Sequence, residues 1–305
     1  MDLNTLYHRT VESWADRVNA VSPDQWDGPT PCTDWSVREL VNHVVGEDRW
    51  TVPLMQGATI AEVGDRLDGD LLGDDPIAAA LEAAKEAVSV VAETLPRGGR
   101  VHLSYGEEEA AEYVRQLAAD HLVHAWDLAA ATGGDTRLDP HLVAEVARWF
   151  ADREELYRAA GAIGPRQAPS GDLQGDLIAA FGRSPGWGAT HVALARFSAA
   201  FGAGDLEQIM ALVTEDCVFE ATTPAPDGTR YEGADALRGV WRDLFEQTTD
   251  PAFTEEECFV AGDRGVLRWR FSWTGPDGSP GHVRGVDVLR FRDGRVSEKL
   301  SYVKG

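Results

Sequence analysis

Residues 120 to 133 read "DHLVHAWDLAAATG", a run with helical periodicity and mostly apolar side chains that nevertheless carries Asp120, His121, His124 and Asp127. On a helix, residues four apart stack on the same side, so Asp120 and His124 offer a carboxylate oxygen and an imidazole nitrogen to one point. That pairing suits a divalent cation. Cys32, Cys217 and Cys258 stand far apart with no C-x-x-C, so a metal in this chain must be held by nitrogen and oxygen rather than thiolate. A third ligand is offered by "VRELVNHVVGEDRW", where His43 sits beside Leu40 and Val44 rather than among solvated positions. His43, Asp120 and His124 then form a two-histidine, one-carboxylate set with positions open to water and substrate, as expected of catalytic sites. Spacing alone leaves open a metal-free ion pair between Asp120 and His124. His121, about 100° further round the helix than Asp120, reads as a supporting or solvated residue rather than a ligand. Asp127 has two readings, orienting a ligating imidazole through its other nitrogen or capping a neighbouring helix.

These residues need a helical frame. Residues 3 to 20 place Leu3, Leu6, Tyr7, Val11, Trp14 and Val18 at helical spacing before Pro23, Pro29 and Pro31 break the pattern. Ser36 as N-cap and Glu39 at N3 form a capping box that starts the His43 helix, predicted over 37–55, with Trp35 placed to staple onto Leu40. An Ala-rich helix fits 76–94. The helix carrying Asp120 and His124 is predicted over 107–131, ending at Gly133 and Gly134, and another fits 140–160. Five helical segments with short polar connections predict an antiparallel bundle with four main helices. Gly and Pro then cluster from 161 to 190, which sets the first domain at 1–188 and the second at 189–305.

Three hundred and five residues suit two domains, and a formal charge of -23, from 51 acidic against 28 basic residues, repels phosphate backbones and anionic headgroups. Nucleic acid is therefore not an expected partner. The opening "MDLNTLYHRTVESW" has neither a basic n-region nor an apolar h-region, and no stretch approaches about 18 apolar residues. A cytoplasmic protein without membrane attachment is expected.

"PTPCTDWSVRELVNHVVG", "SYGEEEAAEYVRQLAADHLVHAWDLAAATG" and "APSGDLQGDLIAAFGRSPGW", in that order, resemble the metal-binding domain of mycothiol-dependent maleylpyruvate isomerase and its actinobacterial relatives, within the DinB/YfiT-like superfamily. The resemblance spans about residues 5–188. It implies an all-α DinB-like four-helix bundle holding a divalent metal, usually zinc, with nickel as an alternative, through the positions of His43, Asp120 and His124. The isomerase carries Glu where this chain has Asp120, so its substrate does not transfer automatically. Mycothiol is the implied thiol cosubstrate: the metal favours its thiolate and polarises a conjugated carbonyl. Cys32 reads as part of a packed turn, and Arg9, Arg38 and Arg49 are the candidates for gripping the thiol.

From 191 onward helices give way to strands. "HVALARFSAAFGAGDLEQIMALVTED" reads as two helices, "CVFEAT" as a strand and "GADALRGVWRDLFEQT" as a third helix. Four consecutive antiparallel strands follow, and within 266–273 Leu267, Trp269, Phe271 and Trp273 share one face while Arg268 and Arg270 share the other. "VRGVDVLRFRDGRVSEKLSYVKG" resembles the SnoaL-like branch of the NTF2-like fold, an α+β cone. Asp287, in a strand otherwise apolar at its middle, is the candidate catalytic carboxylate of that cone, against a reading in which it pairs with Arg284, Arg270 or Lys299. The function expected is a metal-dependent thiol transferase or isomerase acting on a small organic electrophile. The alternative is a SnoaL-like ligand-binding or cyclase/isomerase protein with the bundle as scaffold. A homodimer through the second domain's sheet is the expected assembly.

Overall fold

Asp2 caps the first helix, α1 (Leu3–Asn19), by accepting from the Thr5 amide at 2.9 Å, and the helix buries Leu6, Tyr7, Thr10, Val11, Trp14 and Val18 on one face. The capping box of Ser36 and Glu39 opens α2 (Val37–Met55), and α3 (Ile60–Val63) is a single turn. Asp75 and Pro76 open α4 (Pro76–Thr94), whose buried face is chiefly Ala80, Ala83, Ala84 and Ala87, small residues that let α2 approach closely. The computed structural model describes residues 1–33 and 35–304, and it divides into two compact units, Met1–Trp187 and Gly188–Gly305.

Residues 107–109 are strand rather than helix. A hairpin of β1 (Arg100–Leu103) and β2 (Gly106–Glu109) precedes α5 (Ala110–Thr132). Gly106 has φ +134, open to glycine, and Arg100 bridges to Glu107 and Glu109, so cross-strand charge pairs override the helix propensity of this glutamate run. From Leu117 onward α5 is buried nearly all round, and it ends on Gly133 in the left-handed conformation. The helix expected over 140–160 is broken into α6 (Pro140–Phe150) and α7 (Glu154–Ala159). At the break Arg153 turns back to Glu112 on α5, with Nη2 donating at 3.0 Å. The Gly- and Pro-rich segment holds one more helix, α8 (Leu173–Ala180), after which Phe181 stacks on Phe150 with ring centroids 3.9 Å apart. α1 packs on α4 and α5, and α2 on α4 and α5, which closes the four-helix bundle.

The second unit opens with α9 (Ala189–Ala203) and α10 (Leu206–Ala211). Strand β3 (Val213–Glu220) begins earlier than the sequence reading placed it and pairs with a short β4 (Arg230–Glu232) that reading did not include. After α11 (Ala234–Gln247) come β5 (Ala252–Ala261), β6 (Arg264–Thr274), β7 (Pro280–Arg292) and β8 (Arg295–Val303). The sheet order is β4-β3-β8-β7-β6-β5, antiparallel except for the parallel β3–β8 pair. Phe197 and Phe201 of α9 and Trp241 of α11 pack into one core with Leu267, Trp269, Leu289 and Phe291. Along β6, Leu267 and Trp269 are buried while Arg268 and Arg270 are exposed, the alternation of a half-buried strand. Gly285 opposes Trp269, and a Cβ there would lie 2.4 Å from the indole.

Candidate metal centre

α2 and α5 lie side by side and bring His43, Asp120 and His124 together. His124 Nε2 stands 3.3 Å from Asp120 Oδ1, and His43 Nε2 stands 3.7 Å from Asp120 Oδ2. All three donors lie within 4.8 Å of one another. A tetrahedral ion with bonds of about 2.1 Å separates its donors by about 3.4 Å, so the three donors have the spacing of a set capable of holding one divalent ion.

The protons say more than the distances. His124 Nδ1 lies 2.9 Å from Asp127 Oδ2, and since an ionised carboxylate only accepts, Nδ1 is the donor. Nε2 therefore presents to Asp120 either a second proton or a lone pair that needs a cation between nitrogen and oxygen. Asp120 Oδ2 is sealed from solvent without a hydrogen-bond partner, although its side chain as a whole is 31% exposed. A metal between the imidazoles and this carboxylate satisfies every one of these atoms. In its absence burial opposes the charge on His124, but Asp120 and Asp127 win and hold the imidazole well above its usual pKa. Burial likewise opposes the Asp120 carboxylate, which His124 and His43 hold well below its ordinary range.

Asp127 is fully buried and is the orienting partner of His124, with no helix cap among its hydrogen bonds. Its second partner is Arg183, whose Nη2 donates to Oδ2 at 3.1 Å, and Cys32 Sγ lies 3.4 Å from the same oxygen. The residues just after α8 thus return to the centre, a role the sequence reading did not assign to Arg183. Burial resists the Asp127 charge and Arg183 overcomes it, keeping the carboxyl below its usual pKa. His121 is buried rather than solvated. Its Nδ1 donates to the Leu117 carbonyl at 2.8 Å and its Nε2 stands 3.2 Å from Asp48 on α2, a pair with no solvent exposure at all. Asp120, His121, His124 and Asp127 thus each have a charged or ionisable partner.

A cavity of about 580 Å³ opens onto the trio. Trp35, Tyr113, Trp149, Tyr157 and Phe181 form much of its wall, with Cys32, Glu47, Gln116 and Arg183 as further polar groups. The Trp35 ring lies 4.7 Å from that of His43. Burial, then the charge of Asp120, raise the Glu47 carboxyl above its ordinary pKa. Arg9, Arg38 and Arg49 do not line the cavity and are paired with Asp139, Asp70 and Glu86. Cys32, read from sequence as a packed turn, does line it, and its Sγ lies within 4.8 Å of donors on His124 and Asp127, a second group able to hold a metal, so the expectation of nitrogen and oxygen ligands alone is corrected.

In the second unit Asp287 is buried and engaged at both oxygens, with Lys299 Nζ at 2.8 Å from Oδ2 and Ser301 Oγ donating to Oδ1 at 2.6 Å. The cavity beside it measures about 20 Å³, room for about one water. Lys299 also sits over the Phe219 ring at 4.9 Å.

The mycothiol maleylpyruvate isomerase N-terminal domain family matches residues 7–129, and the SnoaL-like domain family matches residues 194–299. An uncharacterized protein of Mycobacterium tuberculosis, found in two strains, is 35% identical over 154 residues, spanning 48% of this chain and 75% of that one. An NTF2-like protein of unknown function from Mesorhizobium loti, a solved structure, is 40% identical over 38% of this chain and 92% of that one, with a TM-score of 0.34. Among the described residues no helix is long and apolar enough to cross a membrane.

Proposed function

The chain belongs to the family of the Mycobacterium tuberculosis protein, with a maleylpyruvate-isomerase-like helical domain joined to a SnoaL-like domain, and from that premise we propose that it is a divalent-metal-dependent thiol transferase or isomerase. The observation that carries the proposal is the proton arrangement: His124 Nδ1 is committed to Asp127, so Nε2, with His43 Nε2, faces one carboxylate whose Oδ2 has no other partner. His43, Asp120 and His124 would hold the ion, zinc before nickel by donor chemistry. When bound, the ion favours the thiolate of a coordinated thiol such as mycothiol and polarises a conjugated carbonyl.

The protein's own residues do the rest. Asp127 fixes the imidazole orientation, and Arg183 keeps Asp127 ionised and in place. Trp35 packs on His43, and the aromatic walls give thiol and electrophile an apolar surface to meet against. Glu47, one turn beyond His43 on the same helix, is placed to take up the proton that a binding thiol releases. Asp287 has no comparable space, so thiol chemistry is assigned to the bundle and the cone is left without a catalytic step.

The test is metal content by plasma mass spectrometry on protein purified without a metal-affinity column, comparing wild type with His43→Ala and Asp120→Ala. Near-stoichiometric zinc or nickel in the wild type, lost in both folded variants, is the expected result. Wild-type protein that takes up no metal even after incubation with Zn²⁺ overturns the proposal.

A further inference from the structure

The charges facing the cavity limit what it can admit. Among its described lining residues Arg183 is the one arginine or lysine, and it is already committed. Its guanidinium holds Asp127 at 3.1 Å and the Cys32 sulfur at 3.3 Å, and its Nη1 donates to the Phe181 carbonyl at 2.8 Å. His124 is committed likewise, its ring nitrogens facing Asp127 at 2.9 Å and Asp120 at 3.3 Å, and the anionic groups on the lining are the carboxyls of Glu47 and Asp120. No hydrogen bond or ion pair holds the Glu47 carboxyl among the described residues.

A carboxylate-bearing substrate sheds its hydration on entry and needs a guanidinium or ammonium to replace it. None is free here. With a divalent ion in place, Glu47 and Asp120 together balance its charge, and Arg183 balances Asp127. A thiol that binds the ion and passes its proton to Glu47 adds no net charge, so the centre gains no cation with which to hold a carboxylate. The remaining wall is aromatic, from Trp35, Tyr113, Trp149, Tyr157 and Phe181, a surface that suits a flat apolar or cationic molecule. The same burial and the same Asp120 charge that raise the Glu47 carboxyl also act on any incoming carboxylate.

We propose that this cavity takes an uncharged or cationic aromatic electrophile and excludes carboxylate-bearing ones, with Glu47 as the residue that sets the discrimination. The inference rests on the metal–thiol reading of the same site and narrows it: a dianionic keto acid is not the substrate.

Trp35 and Trp149 line the cavity, so binding is read by tryptophan fluorescence on the full chain, zinc-loaded and chelator-stripped, without thiol. The probes are benzylideneacetone, an uncharged aromatic enone, and its para-carboxy derivative. The uncharged enone should bind at least about tenfold more tightly, equivalent to ~1.4 kcal/mol. Glu47→Gln, an almost isosteric change outside the metal trio, should shrink that ratio severalfold while zinc content and melting temperature stay put. Equal binding of the two probes, preference for the carboxylate, binding of neither, or a ratio untouched by a folded Glu47→Gln variant each overturns the inference. The wild-type ratio alone decides the case if the variant does not fold. Failure of the metal reading shows up separately, as absent zinc in protein that still prefers the uncharged probe.

Discussion

Asp127→Asn separates the orienting role of Asp127 from its packing role. The carboxylate accepts a charge-assisted hydrogen bond of 2.9 Å from His124 Nδ1, and asparagine keeps the shape while weakening that bond and freeing its amide to turn either way. Loss of such a partner behind a ligating histidine costs about 10- to 100-fold in metal affinity, or ~1.4–2.7 kcal/mol. The same change strands Arg183, whose side chain is only 15% exposed, and breaking one half of a buried pair costs about 3–5 kcal/mol of stability. The two effects come apart in a second variant: adding Arg183→Met to Asp127→Asn removes the stranded charge and should return most of the stability without returning zinc affinity. Affinity is measured by competition with a chromogenic chelator, stability by urea unfolding of chelator-stripped protein. If Asp127→Asn binds zinc as tightly as wild type, or if the double variant recovers affinity along with stability, the imidazole is not held for a metal by Asp127 and the argument from its proton fails.

The stability of metal-free protein should fall as pH rises. His121 and His124 both have folded pKa values above the unfolded ~6.5, because their carboxylate partners outweigh burial, so their contribution is full below ~6.5 and drains away as pH climbs through the folded values. Zinc takes His124 as neutral imidazole and should flatten that decline while binding more tightly at higher pH, so a urea midpoint of stripped protein that rises between pH 6 and pH 9 contradicts the assignment. Ser36→Ala removes the hydroxyl that accepts from the Glu39 amide and should cost about 0.5–2 kcal/mol in urea unfolding; a loss well inside experimental error places the stability of the α2 start elsewhere. Lys299→Met strands a fully buried Asp287 and should cost about 3–5 kcal/mol, most of it recovered by adding Asp287→Leu; an unchanged melting curve for Lys299→Met would show the pair open to solvent.

What was legible in the sequence was local. The capping box of Ser36 and Glu39 is a three-residue relation, the stacking of Asp120 under His124 is a four-residue one, and the alternation in β6 has a period of two, so each is carried by neighbours along the chain. What was missed depends on contacts the chain makes with distant parts of itself. "GEEE" at 106–109 looks helical on propensity and becomes strand because Arg100 lies across from it. "ADR" at 151–153 contains neither glycine nor proline, yet the helix breaks there, where Arg153 reaches Glu112 on another element. Arg183 follows a short helix inside a glycine- and proline-rich stretch, where nothing periodic marks it, and its importance is set by Asp127, 56 residues earlier. Asp287 offered three cations as partners on paper, and only the register of β7 against β8 selects Lys299.

The same distinction explains why a helix made for burial carries charge. An apolar α5 would pack the bundle at lower cost, since each buried ion must be compensated by a partner before it stabilises anything. Asp48 and His121 do not face the cavity, so their pairing cannot be chemistry on a substrate. They do tie α2 to α5 at one register, next in sequence to Glu47 on one side and Asp120 on the other. A slip of one helical turn would move His43 by about 5.4 Å relative to Asp120, beyond the reach of any shared ion. The buried pair thus specifies alignment where apolar side chains would tolerate sliding, and the aligned product is the closely spaced trio that opens onto the cavity.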